Sequence, residues 1–346
     1  MAAKESRASS GGVSLEPVAA SVLAEREAAR REALRARGPF GSGCRGVDEY
    51  VLMGGGFERG SVVGVSAEDE EGFGLVLGLQ VVVRWLCREE GPARALVVTP
   101  KPAGPLLGAL REGIAAEVEA EVDGGGGDEE EHKRRRVRAC LDRVMLSCVF
   151  DVDGLCEVLS ELDGEGGDEP PEVADSQDDD GAPPPPPPPS IVLVTHLSSL
   201  LTSLFAQREP SAAHAALDQL SRRLRALARA PPSSPLVMLL NSTAAAAPAP
   251  RSPSRPLDPA LRSVFAPAAA RPAFGQVFAR LLDLHLLCTA MPPRTRAAAV
   301  VVAVEVLVDH LGLWLGRRGP RPSREQRWAP VRVVGGRVVD AVASAP

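Results

Sequence analysis

The chain has no C-x-x-C pair. Its six cysteines, at 44, 87, 140, 148, 156 and 288, are scattered, and none has a histidine at metal-binding spacing. That excludes the common zinc patterns and argues against a disulfide framework, as expected in a reducing compartment. No uncharged apolar run is long enough to span a bilayer: the stretch 298–315 is interrupted by Glu305, Asp309 and His310. The N-terminus carries no secretory-signal pattern, so the sequence predicts a soluble, intracellular protein. Lysine is nearly missing, with residues only at 4, 101 and 133, and Arg carries almost all the positive charge. Arginine suits phosphate forks better than lysine does. A GC-rich coding bias also explains much of the Arg content, because Ala, Pro and Gly are abundant beside it.

What is there is unevenly distributed. The formal net charge of −6 is a local effect, since residues 161–181 hold ten acids and no Lys or Arg; the remainder is net positive. At 346 residues the chain can bury one sizeable core or two small ones. Residues 1–14 are small and polar and are predicted to be disordered. Residues 15–37 read as an N-terminal helix rich in Ala, Glu and Arg, ended by Gly38-Pro39. The core is expected over 38–340, with a tail at 341–346.

Two low-complexity insertions are expected inside that core. Residues 117–138 run from acids through four glycines to His132-Lys133-Arg134-Arg135-Arg136-Val137-Arg138, too polar to build a core and therefore read as flexible. The basic run fits a solvated patch, a nuclear localisation signal or a nucleic-acid contact. Residues 161–190 are acidic and end in seven prolines, an extended spacer or a ligand for an aromatic-grooved partner.

The segment around which the core is organised is residues 60–86. A β-branched run gives way to the polar loop Ala67-Glu68-Asp69-Glu70-Glu71-Gly72-Phe73-Gly74, and apolar periodicity then resumes at Leu75, Leu79, Val82, Val83 and Leu86. This is the strand–loop–helix layout of a phosphate loop, whose pattern is G-x-x-x-x-G-K-[ST]. Ala67 takes the first Gly position, Gly72 is kept, and Phe73 and Gly74 replace Lys and Ser/Thr. A working loop cradles phosphate with backbone N–H groups, a Lys charge and a Mg²⁺-binding hydroxyl. Four carboxylates repel a polyphosphate instead. The sequence predicts no nucleotide hydrolysis.

Upstream, Gly54-Gly55-Gly56-Phe57-Glu58-Arg59-Gly60-Ser61 marks a tight turn into the strand. Together with the broken loop, this segment resembles the ATPase core of the RecA-type recombinase superfamily, and most closely its eukaryotic recombinase paralogues with degenerate Walker A and Walker B motifs. The resemblance spans about 40–340 without the two insertions. It implies an α/β fold, a three-layer RecA-like P-loop NTPase core with a mainly parallel sheet. After the strand at 95–99 the family places a catalytic Glu; Lys101 stands there. At the end of 191–195 it places the Walker B Asp; Thr195 stands there, followed by His196, read as a strand-end structural histidine rather than a base. Asn241 resembles the sensor position.

The family's DNA-contacting loop corresponds to 242–272, with Arg251, Arg255, Arg262 and Arg271 and one aromatic, Phe265. A non-specific DNA contact and a plain surface loop both fit it. Leu217, Leu220, Leu224 and Leu227 lie on one helical face. Residues 299–308 fit a strand or a buried helix, and 331–340 a hairpin turned at Gly335-Gly336. The vestigial nucleotide site would then comprise Ala67, Gly72, Phe73, Gly74, Lys101, Thr195 and Asn241, with no metal ligand set. ATP and Mg²⁺ are implied by the resemblance alone.

The resemblance implies a nuclear, non-catalytic or weakly ATP-binding subunit that assists DNA repair by homologous recombination. Its partners would be recombinase-like subunits and single-stranded or branched DNA. The alternative is a structural subunit of an Elongator-like tRNA-modification complex, also of RecA fold.

Overall fold

A computed structural model describes residues 17–89, 91–121, 127–162, 187–231, 233–245, 261, 263–265, 270–292, 300–312 and 327–341. Arg251, Arg255 and Arg262 lie outside them, as do residues 1–16, most of the acidic and proline-rich stretch, and residues 342–346. The chain divides into two units, Met1–Arg37 and Gly38–Pro346. In the first, α1 (Ala20–Ala36) buries none of its residues. Its order is local: Glu27 accepts from Arg30 and Arg31, each at 2.9 Å, one turn along the helix.

The second unit is an α/β domain with a mostly parallel sheet. The apolar, β-branched segment β1 (Val62–Ala67) is buried along its whole length, which a strand achieves only when covered on both faces. Its parallel neighbours are β5 (Leu236–Ala245) and β7 (Leu284–Met291). Beyond β5 lie β4 (Pro189–Val194), β2 (Arg94–Thr99) and the edge strand β3 (Val144–Cys148), all parallel. Beyond β7 the pairing turns antiparallel through β8 (Val301–Asp309), β9 (Trp328–Val334) and β10 (Arg337–Asp340). A short strand, β6 (Ala270–Pro272), pairs antiparallel with the end of β5.

Helices lie on both faces. One apolar cluster joins the sheet to α2 (Leu75–Arg88), α3 (Ala103–Glu121) and α4 (Gly127–Leu141). The other joins it to α5 (Val152–Leu162), α6 (Leu197–Gln207), α7 (Pro210–Arg229) and α8 (Gly275–Ala279). The periodic residues Leu79, Val82, Val83 and Leu86 of α2 are all buried. Gly78 lets that helix approach the sheet, because a Cβ there would stand 2.9 Å from a Leu193 methyl. In α7 the face Leu217, Leu220, Leu224 and Leu227 is buried as its spacing requires, and Pro210 starts the helix at a position where its missing N–H is harmless. Residues 301–309 form a strand, which resolves the two readings of that stretch. The β9–β10 hairpin turns at Gly335 and Gly336, with φ of 54° and 72°; two consecutive positive values are what a type I′ turn demands.

Residues 117–138 differ from the flexible insertion expected of them. Glu117 and Val118 belong to α3 and are 5% and 1% exposed, and residues 127–141 are helical. Val137, Cys140 and Leu141 of α4 recur at three- and four-residue spacing and pack against the core, while Arg134, Arg135 and Arg138 are exposed. Composition averaged over the stretch hid that single apolar edge. The second insertion is also narrower than 161–190 within the described residues, since α5 runs to Leu162 and β4 begins at Pro189. No helix among the described residues is long and apolar enough to cross a membrane.

Candidate functional site

Parallel strands deliver their carboxyl ends to one rim of the sheet, where α/β proteins place ligands. Here the rim collects the ends of β1, β5, β4 and β2. Ser66 stands opposite Asn241 and Ala67 opposite Ser242. The Thr195 amide continues the ladder onto Val98 O at 2.9 Å.

The loop after β1 turns through residues 68–74 and enters α2 by a π-type turn, Glu70–Gly74. Strand, loop and helix therefore follow one another as the sequence pattern predicts, and the loop is closed on itself. Asp69 accepts the Gly72 amide at 2.8 Å, an N–H group of the kind that a phosphate would otherwise use. A Cβ at Gly72 would meet the Asp69 carboxylate at 2.1 Å, so a side chain there would displace that cap. Phe73, at the Lys position, is 3% exposed and belongs to the core cluster beneath α2, so it turns away from the rim. Gly74 is buried, and a Cβ there would touch that of Ala67 at 3.3 Å.

The acids of the loop find partners inside the protein. Glu71 pairs with Lys101, whose hydrogen bond and charge lower the Glu71 pKa. Glu70 reaches the start of α6, where Ser198 Oγ donates to Oε2 at 3.2 Å; its Oε1 has no partner. Burial raises the Glu70 pKa, opposed by Ser198, Lys101 and the His196 backbone N–H. Glu68 accepts from the Ala290 amide at 2.8 Å.

Thr195 is 1% exposed; its hydroxyl donates to Val98 O at 3.4 Å and lies 3.0 Å from His196 Nδ1. A neutral hydroxyl turned to a strand carbonyl supplies none of the negative charge a Mg²⁺ shell uses. His196 begins α6 in the left-handed region, φ 53°, with Nε2 4.0 Å from Glu71 Oε1. Burial first, then Lys101, lowers its pKa against the pull of Glu71, so its imidazole is neutral at pH 7. Among the described residues no group of three or more His, Cys, Asp or Glu side chains could hold a metal ion.

Asn241 is wholly buried and sits one layer below the rim. Its Nδ2 donates to Ser66 Oγ and to Ala273 O, both at 3.1 Å, and Ser66 Oγ lies 2.9 Å from His285 Nε2. Arg271 lies on β6 opposite Ala244 and is half-buried.

The structure thus brings Ala67, Gly72, Gly74, Lys101 and Thr195 to one rim, whereas Phe73 packs into the core cluster and Asn241 bonds within the buried layer of Ser66 and His285. The sequence reading counted Glu70 among the loop acids without its partner, and missed Ser198, Ser66 and His285. Glu70 and Ser198 are 128 residues apart and each is unremarkable alone. No family model matches the sequence, and no curated protein matches it.

Proposed function

We propose that this chain is a RecA-like scaffold subunit that has given up nucleotide turnover: a recombinase paralogue that assists DNA repair in the nucleus through protein and DNA contacts. The observation that carries this reading is the closure of the phosphate loop by its own acids. Lys101 is neutralised by Glu71, and Glu70 takes the hydroxyl at the start of α6. A triphosphate entering there meets carboxylates where it needs cations, at a cost of several kcal/mol for each close pair near a protein surface. Hydrolysis further requires a base or water-orienting carboxylate and a metal ligand; Lys101 and Thr195 occupy those positions. A strand order that sets β5 between β1 and β4, with antiparallel strands appended beyond β7, is compatible with the RecA-like assignment.

The test is turnover and company together. The purified full-length chain with Mg-ATP, with and without single-stranded DNA, is expected to release no phosphate above a blank. Affinity purification is expected to recover recombinase-like proteins. DNA-stimulated turnover would overturn the non-catalytic reading, and recovery of Elongator subunits instead would assign the scaffold to tRNA modification. A salt series on single-stranded DNA separates the DNA role, because binding through phosphate contacts weakens steeply with ionic strength.

A further inference from the structure

On the face of the sheet opposite α2, α5 packs beside α7 and an open groove of about 580 Å³ runs between them. One wall is the α5 stripe Asp153, Cys156, Glu157 and Ser160, which recurs at the three- and four-residue spacing of a single helical face. α7 opposes it with Ala212, Ala215 and Ala216, whose small side chains leave the space, and further along with Arg222 and Arg223. Arg208 bonds to Asp153, and those two charges cancel. Arg223 donates to Cys156 O and Arg222 to Asp218 O, each at 3.3 Å. Both acceptors are backbone carbonyls, so neither guanidinium has a carboxylate partner among the described residues. The last two turns of α7 add Arg225 and Arg229 and hold no acid. In the groove, then, two unpaired guanidiniums face one carboxylate, Glu157, and most of their N–H donors are still to be met.

The chain itself carries a matching polyanion. α5 ends at Leu162, two positions beyond Ser160, and residues 163–181 then hold nine acids and no Lys or Arg. We propose that this acidic stretch is the occupant of the α5–α7 groove, its carboxylates taking the donors of Arg222 and Arg223 that the protein leaves over. Reach is no obstacle. The 11-residue α5 is about 16 Å long, which about five residues of extended chain cover. A tether that starts beside the groove also makes the encounter intramolecular. The effective concentration of a tethered ligand is on the order of millimolar, which gives the stretch precedence over a free polyanion at micromolar concentration.

The full-length chain at low ionic strength is labelled with phenylglyoxal, which modifies accessible guanidinium groups, and the modified sites are mapped by mass spectrometry. The comparison is a variant in which every Asp of 163–181 is replaced by Asn and every Glu by Gln; these changes touch none of the described helices and strands. Arg222 and Arg223 are expected to react at least about fivefold more slowly in the wild type, and 1 M salt, where the Debye length is about 3 Å, to remove the difference. Arg332, exposed on β9, is expected to react equally in both proteins. A synthetic peptide of residues 161–181 added to the variant is expected to restore the protection. Equal labelling of Arg222 and Arg223 in the two proteins overturns the proposal. Protection that extends to Arg332 overturns it as well, since that marks a general field and not an occupied groove. Protection lost on dilution would put the stretch of a second copy there and overturn the intramolecular docking.

Discussion

Ser66, Asn241 and His285 come from three adjacent parallel strands and fill one buried layer with polar atoms. Asn241 Oδ1 and His285 Nδ1 have no protein partner there. Such groups are costly to bury and costlier to charge. His285 is fully enclosed, and burial lowers its pKa from 6.5 to about 3. The native state therefore binds no proton at this ring until about pH 3, while the unfolded chain binds one below 6.5. A base whose folded pKa is depressed contributes its full stability above the unfolded value and loses it as pH falls. Between pH 7 and pH 5 the loss is about 2 kcal/mol. Glu70 and Glu305, whose pKa values burial raises, work in the opposite sense, so the comparison must be differential. His285→Gln keeps a hydrogen-bonding group toward Ser66 and removes the titration. Urea midpoints measured from pH 7 to 5 are expected to fall further for the wild type than for this variant. Parallel curves would place the pH response elsewhere. None of this was legible beforehand, because a histidine in an apolar run carries no mark of which strand will lie beside it.

At the scale of elements, the stretch 117–138 teaches most. Its charges read as solvated, yet Glu117 is the hub that joins three elements. It pairs with Arg84 of α2 at 2.9 Å and with Arg337 of β10, while its own side chain is only 6% exposed. Two Arg charges converge on one buried carboxylate, so removing it takes an ion-pair partner from each. The expected cost of Glu117→Ala is about 3 kcal/mol, in the range for breaking a buried pair from one side. Arg337→Ala costs less, since that side chain is 32% exposed and water replaces part of what is lost. Chemical denaturation of the two variants checks the order; equal costs would mean that the Arg337 pair alone accounts for the loss and that Arg84 adds nothing. A sequence window could have exposed α4 through Val137, Cys140 and Leu141. It could not have exposed the charge hub, whose members are separated by 33 and 220 positions.

Across the whole molecule, alternation of apolar runs with amphipathic ones made the α/β class and the mainly parallel sheet legible, because strands buried on both faces and helices buried on one leave different periods in the sequence. The candidate site was legible only as a list of losses. Phe73, Gly74, Lys101 and Thr195 could be read as missing chemistry, but what took its place depends on Glu71 meeting Lys101 and Glu70 meeting Ser198 across the rim. These contacts make the loop testable as a self-filled anion site. With Glu70 and Glu71 intact, a phosphate must displace two carboxylates, one of them held below its usual pKa by Lys101. Glu70→Gln with Glu71→Gln removes both charges, keeps the side-chain lengths and frees Lys101. Titration calorimetry is expected to show ATP binding at least about tenfold tighter in the double variant than in the wild type, the gain from about 1.4 kcal/mol of relieved repulsion. Turnover is expected to stay absent, since Phe73 remains packed under α2 and Thr195 still offers Mg²⁺ no negative charge. Equal ATP affinity in both proteins would show that the acids are not what closes the loop.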